Sequence, residues 1–267
     1  MCVILFALRA HRRYPLIVAA NRDEAYDRPS ARAAFWSDHP GVYAGRDLEH
    51  GGTWLGLASN GRFAGITNYR QGRVDEAPRS RGELTRDYLT SARDVAEYLE
   101  DIEQRQAEYH GYSLIAGTPD RLFFCSNRGD GFHSIPSGVH GLSNRLLNEP
   151  WPKVQRGKAI LSGLLEAGEA DLVTGLFAML ADRTPAPDHL LPSTGIPLAR
   201  ERDRSPSFIS SESYGTRAST VILVGADGHA LFCERLFGPR GKPLGETQAR
   251  IALEPEAVTD GPTSDEA

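Results

Sequence analysis

Residue 2 of the chain is a cysteine, and that position gives it two reactive groups. Removal of Met1 requires a small second residue, which Cys2 is, and would leave one carbon bearing both a thiol and a free α-amine. Such an amine titrates near pH ~7.7–8.0, against ~10.4 for lysine, so it accepts a proton at neutral pH. A thiol beside its own base is an activated nucleophile suited to opening an amide or thioester. The competing role is purely structural. Cys2 also starts the apolar run Val3-Ile4-Leu5-Phe6-Ala7-Leu8, and free cysteine is among the most buried residue types.

Other residues have chemistry that would serve such a thiol. Asn21-Arg22-Asp23-Glu24 follows the apolar run Leu16 to Ala20, a place where polar side chains at a strand end can line a cleft. Arg22 or Asp23 would hold the amine and thiolate through charge-assisted hydrogen bonds; a solvated turn with a local ion pair is the plainer reading. Asn68 and Asn144 are candidate oxyanion donors, since an amide stabilises developing charge without titrating, although both also suit turns. Arg217 precedes an apolar strand and would lower the thiol pKa. Gly51-Gly52-Thr53-Trp54-Leu55-Gly56 lacks the Lys-Ser/Thr pair of a phosphate loop. The eight histidines show no metal-ligand spacing, so no metal site is expected.

The elements that must position these residues are legible from periodicity. Val3–Leu8 and Pro15–Ala20 read as paired strands, and Thr53–Ala58 with Arg62–Thr67 as a hairpin around Asn60-Gly61. The long connection from Asn21 to Gly52 reads as functional or lid-like. Helices are expected over Glu83–Leu89, Ala92–Ile102, Lys153–Ala167 and Ala170–Ala181, with Leu84, Tyr88, Val95 and Leu99 facing inward. Strands are expected at Tyr112–Ala116, Arg121–Cys125, Gly138–Leu142, Arg217–Val224 and His229–Phe237. Thr184–Ser205 is proline-rich and reads as loop. Strands in pairs with helices in blocks point to mainly antiparallel sheet covered by helices. One domain is expected over 1–254, followed by a frayed acidic tail over 255–267.

Composition narrows the classes. The 267 residues are 40% hydrophobic, enough for a substantial core, and the 30 basic and 35 acidic residues are interspersed, with a net charge of −5. That balance gives no footprint for nucleic acid or an anionic membrane. No window approaches a membrane span, and the first residues lack the basic start of a signal peptide. Three widely spaced cysteines form neither a disulfide framework nor a CxxC site, which points to a reducing cytoplasm.

Taken in order, these segments resemble the NRDE family, also called the transport-and-Golgi-organisation family. The matching pieces include Met1 to Phe6, Ala19 to Glu24, Phe35-Trp36, Ala44 to Leu48, Gly51 to Gly56 and Thr67 to Arg70. Others are Ser80-Arg81-Gly82-Glu83-Leu84, Ser126 to Gly129, Gly141-Leu142-Ser143-Asn144, Pro150-Trp151-Pro152-Lys153, Tyr214 to Arg217 and Glu234 to Phe237. The family is similar in layout to cysteine N-terminal-nucleophile hydrolases, so the resemblance implies an α+β, αββα four-layer sandwich. It also implies a site with Cys2 as nucleophile, Asn68 and Asn144 at the oxyanion or amine, and Arg217 as cationic partner. Arg22 and Asp23 are adjacent here, whereas that site separates its Arg and Asp by two residues. If both stay in the strand they face opposite sides.

Two functions remain in view. One is hydrolysis of a non-peptide amide or thioester in a small molecule, needing no cofactor. The other is a non-catalytic carrier of haem or acyl-CoA, roles the resemblance implies. There Trp54, Phe35 and Trp36 would form an apolar wall, with Asn21 and Glu24 also at the ligand. Arg22, Arg46 or Arg70 would meet carboxylates or phosphates.

Overall fold

The computed structural model describes residues 2–72, 79–168 and 171–254. In chain order the first strands are β1 (Cys2–Leu8), β2 (Leu16–Ala25), β3 (Ser30–Phe35), β4 (Val42–Asp47), β5 (Leu55–Ala58) and β6 (Phe63–Asn68). Helices α1 (Gly82–Thr90) and α2 (Val95–Gln104) come next. They precede β7 (Tyr112–Gly117), β8 (Leu122–Ser126), β9 (Gly131–Ser134) and β10 (Gly138–Leu142). Then come α3 (Pro152–Ala167), α4 (Leu172–Leu180), α5 (Leu198–Asp203), β11 (Tyr214–Val224), β12 (His229–Gly238) and β13 (Lys242–Ala252).

The strands form two antiparallel sheets. The first runs β10-β1-β2-β11-β12-β13 and the second β3-β4-β5-β6-β7-β8-β9. Side-chain parity sorts the apolar residues into three layers. Ile4, Phe6, Leu8, Leu16, Val18 and Ala20 meet Leu55, Leu57, Phe63 and Ile115 between the sheets. Val3, Leu5, Ala7, Ile17 and Ala19 pack on Leu161 of α3 and Leu176 and Leu180 of α4. Leu84, Tyr88, Val95 and Leu99 join α1 and α2 to the outer face of the second sheet. The result is an αββα sandwich.

Burial on both faces explains why β1 reads as a continuous apolar run rather than an alternating one; all seven residues are buried. Helix α3 can lie this close because residue 157 is glycine: a Cβ there would sit 2.3 Å from Leu5 Cδ1.

Three expectations are corrected. Asn21–Gly52 is not a lid, because it completes β2 and then builds β3 and β4 at the edge of the second sheet. Edge strand β3 turns only Ala33 fully inward, so its alternation is faint in the sequence. Thr184–Ser205 contains α5, and β9 and β13 were not expected. Strand β13 is exposed along nearly its whole length, leaving no apolar pattern to read. The expected tail and Ala170 lie outside the described residues. Among the described residues, no helix is long and apolar enough to cross a membrane.

Candidate active site

Cys2 opens β1 and pairs with Arg22 of β2, which pairs in turn with Ala218 of β11, itself paired with Leu236 of β12. Directly paired residues share a face with Cβ atoms ~4.5–5.5 Å apart. This row therefore turns the thiol and the Arg22 guanidinium together toward the second sheet. A bulge between Thr216 and Ala218 inserts Arg217 beside the row. Its guanidinium donates to the carbonyl of Ala25 at 3.0 Å and to that of Arg28. Bulges commonly re-aim a side chain in this way.

Asp23 faces the helix layer. It is 1% exposed, accepts from Thr216 Oγ1 at 2.6 Å, and burial pushes its carboxyl up while Thr216 and Lys153 act against that. Lys153, near the start of α3, is also buried, which brings its amine down to about 8; it donates to the carbonyl of Arg204 at 3.2 Å. Deeper on this side, the Arg70 guanidinium bonds Glu201 and lies 4.5 Å over the Trp151 ring, while Thr194 donates to the same Glu201.

A short loop after β10 joins the two sheets at the site. Ser143 Oγ donates to the carbonyl of Cys2 at 3.1 Å, and Thr67 Oγ1 donates to the carbonyl of Ser143 at 2.5 Å. Asn144 Nδ2 donates to the Asn68 carbonyl at 2.9 Å, and the Arg70 amide donates to the Asn144 carbonyl at 2.7 Å. Together these bonds hold the start of β1 against the end of β6.

The space left between these parts is a cleft of about 490 Å³. Cys2 lies on it with 9% exposure, and burial raises its thiol pKa while the positive charge of Arg22 acts to lower it. A carboxyl from the first sheet, Glu234 of β12, also lines the cleft. It accepts from the Ala33 amide at 2.7 Å, and burial pushes it up to about 7.

The sequence matches the family described as Transport and Golgi organisation 2 over residues 1–239. The chain belongs to the Transport and Golgi organisation 2 family. It is 38% identical over 255 residues to the Transport and Golgi organization protein 2 homolog of Bos taurus, covering 88% of this chain and 92% of that protein. The Homo sapiens homolog is 36% identical over the same coverage. Among solved structures, the fold is similar to penicillin V acylase from Agrobacterium tumefaciens, with TM-score 0.51 and 11% identity over 94% of this chain and 86% of that one. It is also similar to the mutant C2A conjugated bile acid hydrolase from Clostridium perfringens, with TM-score 0.50 and 7% identity over 95% and 92%. At these identities the likeness is one of fold: this Transport and Golgi organisation 2 member has the layered N-terminal-nucleophile hydrolase architecture.

In this family member the cleft brings together Cys2, Arg22, Asp23, Glu24, Arg46, Trp54, Asn68 and Arg217. Arg22 and Asp23 both stay in β2 and diverge to opposite faces, as adjacency requires. Three expected residues are placed elsewhere. Asn21 faces the helix layer, where its amide is engaged by Leu180, Ser207 and Ser219, leaving nothing for a ligand. Arg70 is held by Glu201 behind the site. Asn144 sits just behind Asn68, and its Oδ1 is buried with no partner among the described residues. Arg46 reaches the cleft but is bound bidentately by Asp38 at 2.5 and 2.6 Å and stacks 4.4 Å over Trp36. Trp36 itself is core, and Phe35 is 51% exposed.

Sequence reasoning missed Arg81, Ser143, Thr216, Lys153 and Glu234. Parity alone marks Glu234, a charged residue in the inward series Ala230, Phe232, Glu234 and Leu236. Among the described residues, no group of three or more His, Cys, Asp or Glu side chains is placed to hold a metal ion.

Proposed function

We propose that the protein is a cysteine amidohydrolase that cleaves a non-peptide amide, or a thioester, in a small molecule. The observation that supports this most is the placement of Cys2, at the start of a rigid strand, with its carbonyl pinned by Ser143 and its thiol beside Arg22 on a cleft. With Met1 removed, the Cys2 α-amine takes the thiol proton as sulfur attacks the substrate carbonyl. The new C–S bond forms a tetrahedral oxyanion, with the exposed Asn68 side chain as donor and Asn144 holding the Asn68 backbone in position. The C–N bond then breaks and the leaving amine takes the proton from the α-amine. Water attacks the resulting thioester, its proton passing through the α-amine to the thiol, and the acid departs. Asp23, on the other side of β2, would orient the α-amine.

Two neighbours in fold carry the names acylase and hydrolase, which favours the same reaction class. The test is Cys2→Ala. Turnover of any amide the wild type hydrolyses should be abolished while unfolding free energy changes by no more than about 1 kcal/mol. Turnover retained by the variant, or by a preparation whose mass shows Met1 still attached, overturns the mechanism.

A second reading has one observation in its favour. The cleft mixes cationic groups with the apolar Trp54, Ile66, Leu236, Phe237 and Leu244, a lining that suits an amphipathic cargo such as haem or acyl-CoA. Saturable micromolar binding that survives Cys2→Ala, without any turnover by wild type, would make the carrier role the function.

A further inference from the structure

Three of the arginines that line the cleft are neutralised by carboxylates. Arg28 reaches Asp47 at 2.7 Å and Glu49 at 2.9 Å, Arg46 grips Asp38, and Arg79 bonds Glu83 and Glu108 at 2.8 and 3.0 Å. Three are different. Arg22 has only Glu24, at 3.9 Å, beyond hydrogen-bond length. Arg217 donates to backbone carbonyls, and Arg81 donates to the carbonyl of Gly111 at 3.2 Å. Neither Arg81 nor Arg217 has a carboxylate in salt-bridge range among the described residues. Burial pulls down the pKa of both, and the Glu24 carboxylate, too distant for a salt bridge with either, offsets this only in part.

These three cations flank one point. Arg22 is the cross-strand partner of Cys2, Arg217 adjoins Arg22 through the bulge, and Arg81 lines the same cleft as Cys2. A thiolate at Cys2 and the Glu24 carboxylate together offset two charges and leave one. Desolvated cations are costly to keep unless something compensates them. Planar guanidinium forks match the oxygens of a carboxylate or phosphate.

We propose that Arg22, Arg81 and Arg217 form a site for an anionic group beside Cys2. Resting on the hydrolase reading, the substrate is then an amide or thioester with a carboxylate or phosphate a few bonds from the scissile carbonyl. The three arginines select the substrate and hold its carbonyl over the sulfur.

Two alkylating reagents of nearly equal shape test the site without needing the natural substrate. Iodoacetate and iodoacetamide each form a C–S bond to the Cys2 thiolate with loss of iodide, and only the first is an anion. The rate ratio iodoacetate to iodoacetamide at Cys2, followed by peptide mass mapping, is compared with the same ratio for glutathione. We expect it to exceed the glutathione ratio by about tenfold, the low end of electrostatic focusing in a cleft. It should fall toward the glutathione value in Arg22→Gln and Arg81→Gln and be kept in Arg81→Lys. Protection of Cys2 by acetate more than by inorganic phosphate assigns a carboxylate, and the reverse a phosphate. A wild-type ratio no greater than that of glutathione overturns the proposal even if an amide is hydrolysed. A raised ratio with no turnover leaves the anion site standing and removes the hydrolase reading.

Discussion

Strand β2 separates two clusters of buried charge that are built in opposite ways. On its helix side, Asp23, Lys153, Arg70 and Glu201 sit cation near anion, with Thr216 donating to Asp23 and Thr194 to Glu201. On its cleft side, Arg22, Arg81 and Arg217 line the cleft with Cys2, Arg22 loosely beside Glu24 and the other two donating to backbone carbonyls. The same strand thus carries a largely paired network and an unfinished one. The bonds of Glu201 to Arg70 and Thr194 mark that part of the first as structural, while Asp23 is the member proposed to orient the Cys2 α-amine. The second keeps its charge available, which is what a ligand site requires.

Breaking the paired side should have the largest effect on stability. Glu201→Ala strands the Arg70 guanidinium in the interior, and loss of one member of a buried pair typically costs ~3–5 kcal/mol. Denaturant unfolding should register that loss; a change under about 1 kcal/mol would place the pair in the same class as the cleft arginines.

Glu234, at the boundary, should show an intermediate effect that depends on pH. Burial lifts its carboxyl from an ordinary value of 4.5 to about 7, so the folded chain keeps a proton that the unfolded chain has released. The stability it contributes is fully present below pH 4.5 and is lost as pH rises through about 7. Glu234→Gln does not titrate and can still accept from the Ala33 amide. The stability of wild type relative to the variant should therefore fall by about 3 kcal/mol across that window. A difference that stays flat with pH would mean that Glu234 titrates like a surface acid.

The smallest effect is expected on the cleft side, and with the opposite sign. Arg22→Gln removes a charge held only loosely by Glu24, so unfolding free energy should stay level or rise by up to about 1 kcal/mol, as at other sites kept for function. Destabilisation beyond about 2 kcal/mol would show that Arg22 holds the fold together.

The layered fold was legible because both faces of β1 and the matching halves of β2 and β11 are apolar, and because α1 and α2 carry clean inward stripes. Edge strand β13 was not, since a solvated edge has no face to mark. Within the site, Cys2, Arg22, Asp23, Asn68 and Arg217 could be singled out from residue type and position at strand ends, and all five border the cleft, Asp23 from the helix side of β2. Arg81 and Lys153 could be quoted within family-like segments but not assigned. What sets their surroundings is contact with residues far along the chain, Gly111 for Arg81 and Arg204 for Lys153, which no local pattern encodes. Arg70 misled for the same reason: its partner Glu201 lies 131 positions on, in a stretch that reads as loop.

The bonds from Ser143 and Asn144 to Cys2 and Asn68 have a kinetic consequence. The ties from Thr67, Asn68 and Arg70 to Ser143 and Asn144 resist hinging of the two sheets at that corner. A guest is then expected to be selected on first contact, by the outline of a preset mould, with entry and exit free of a slow gating step.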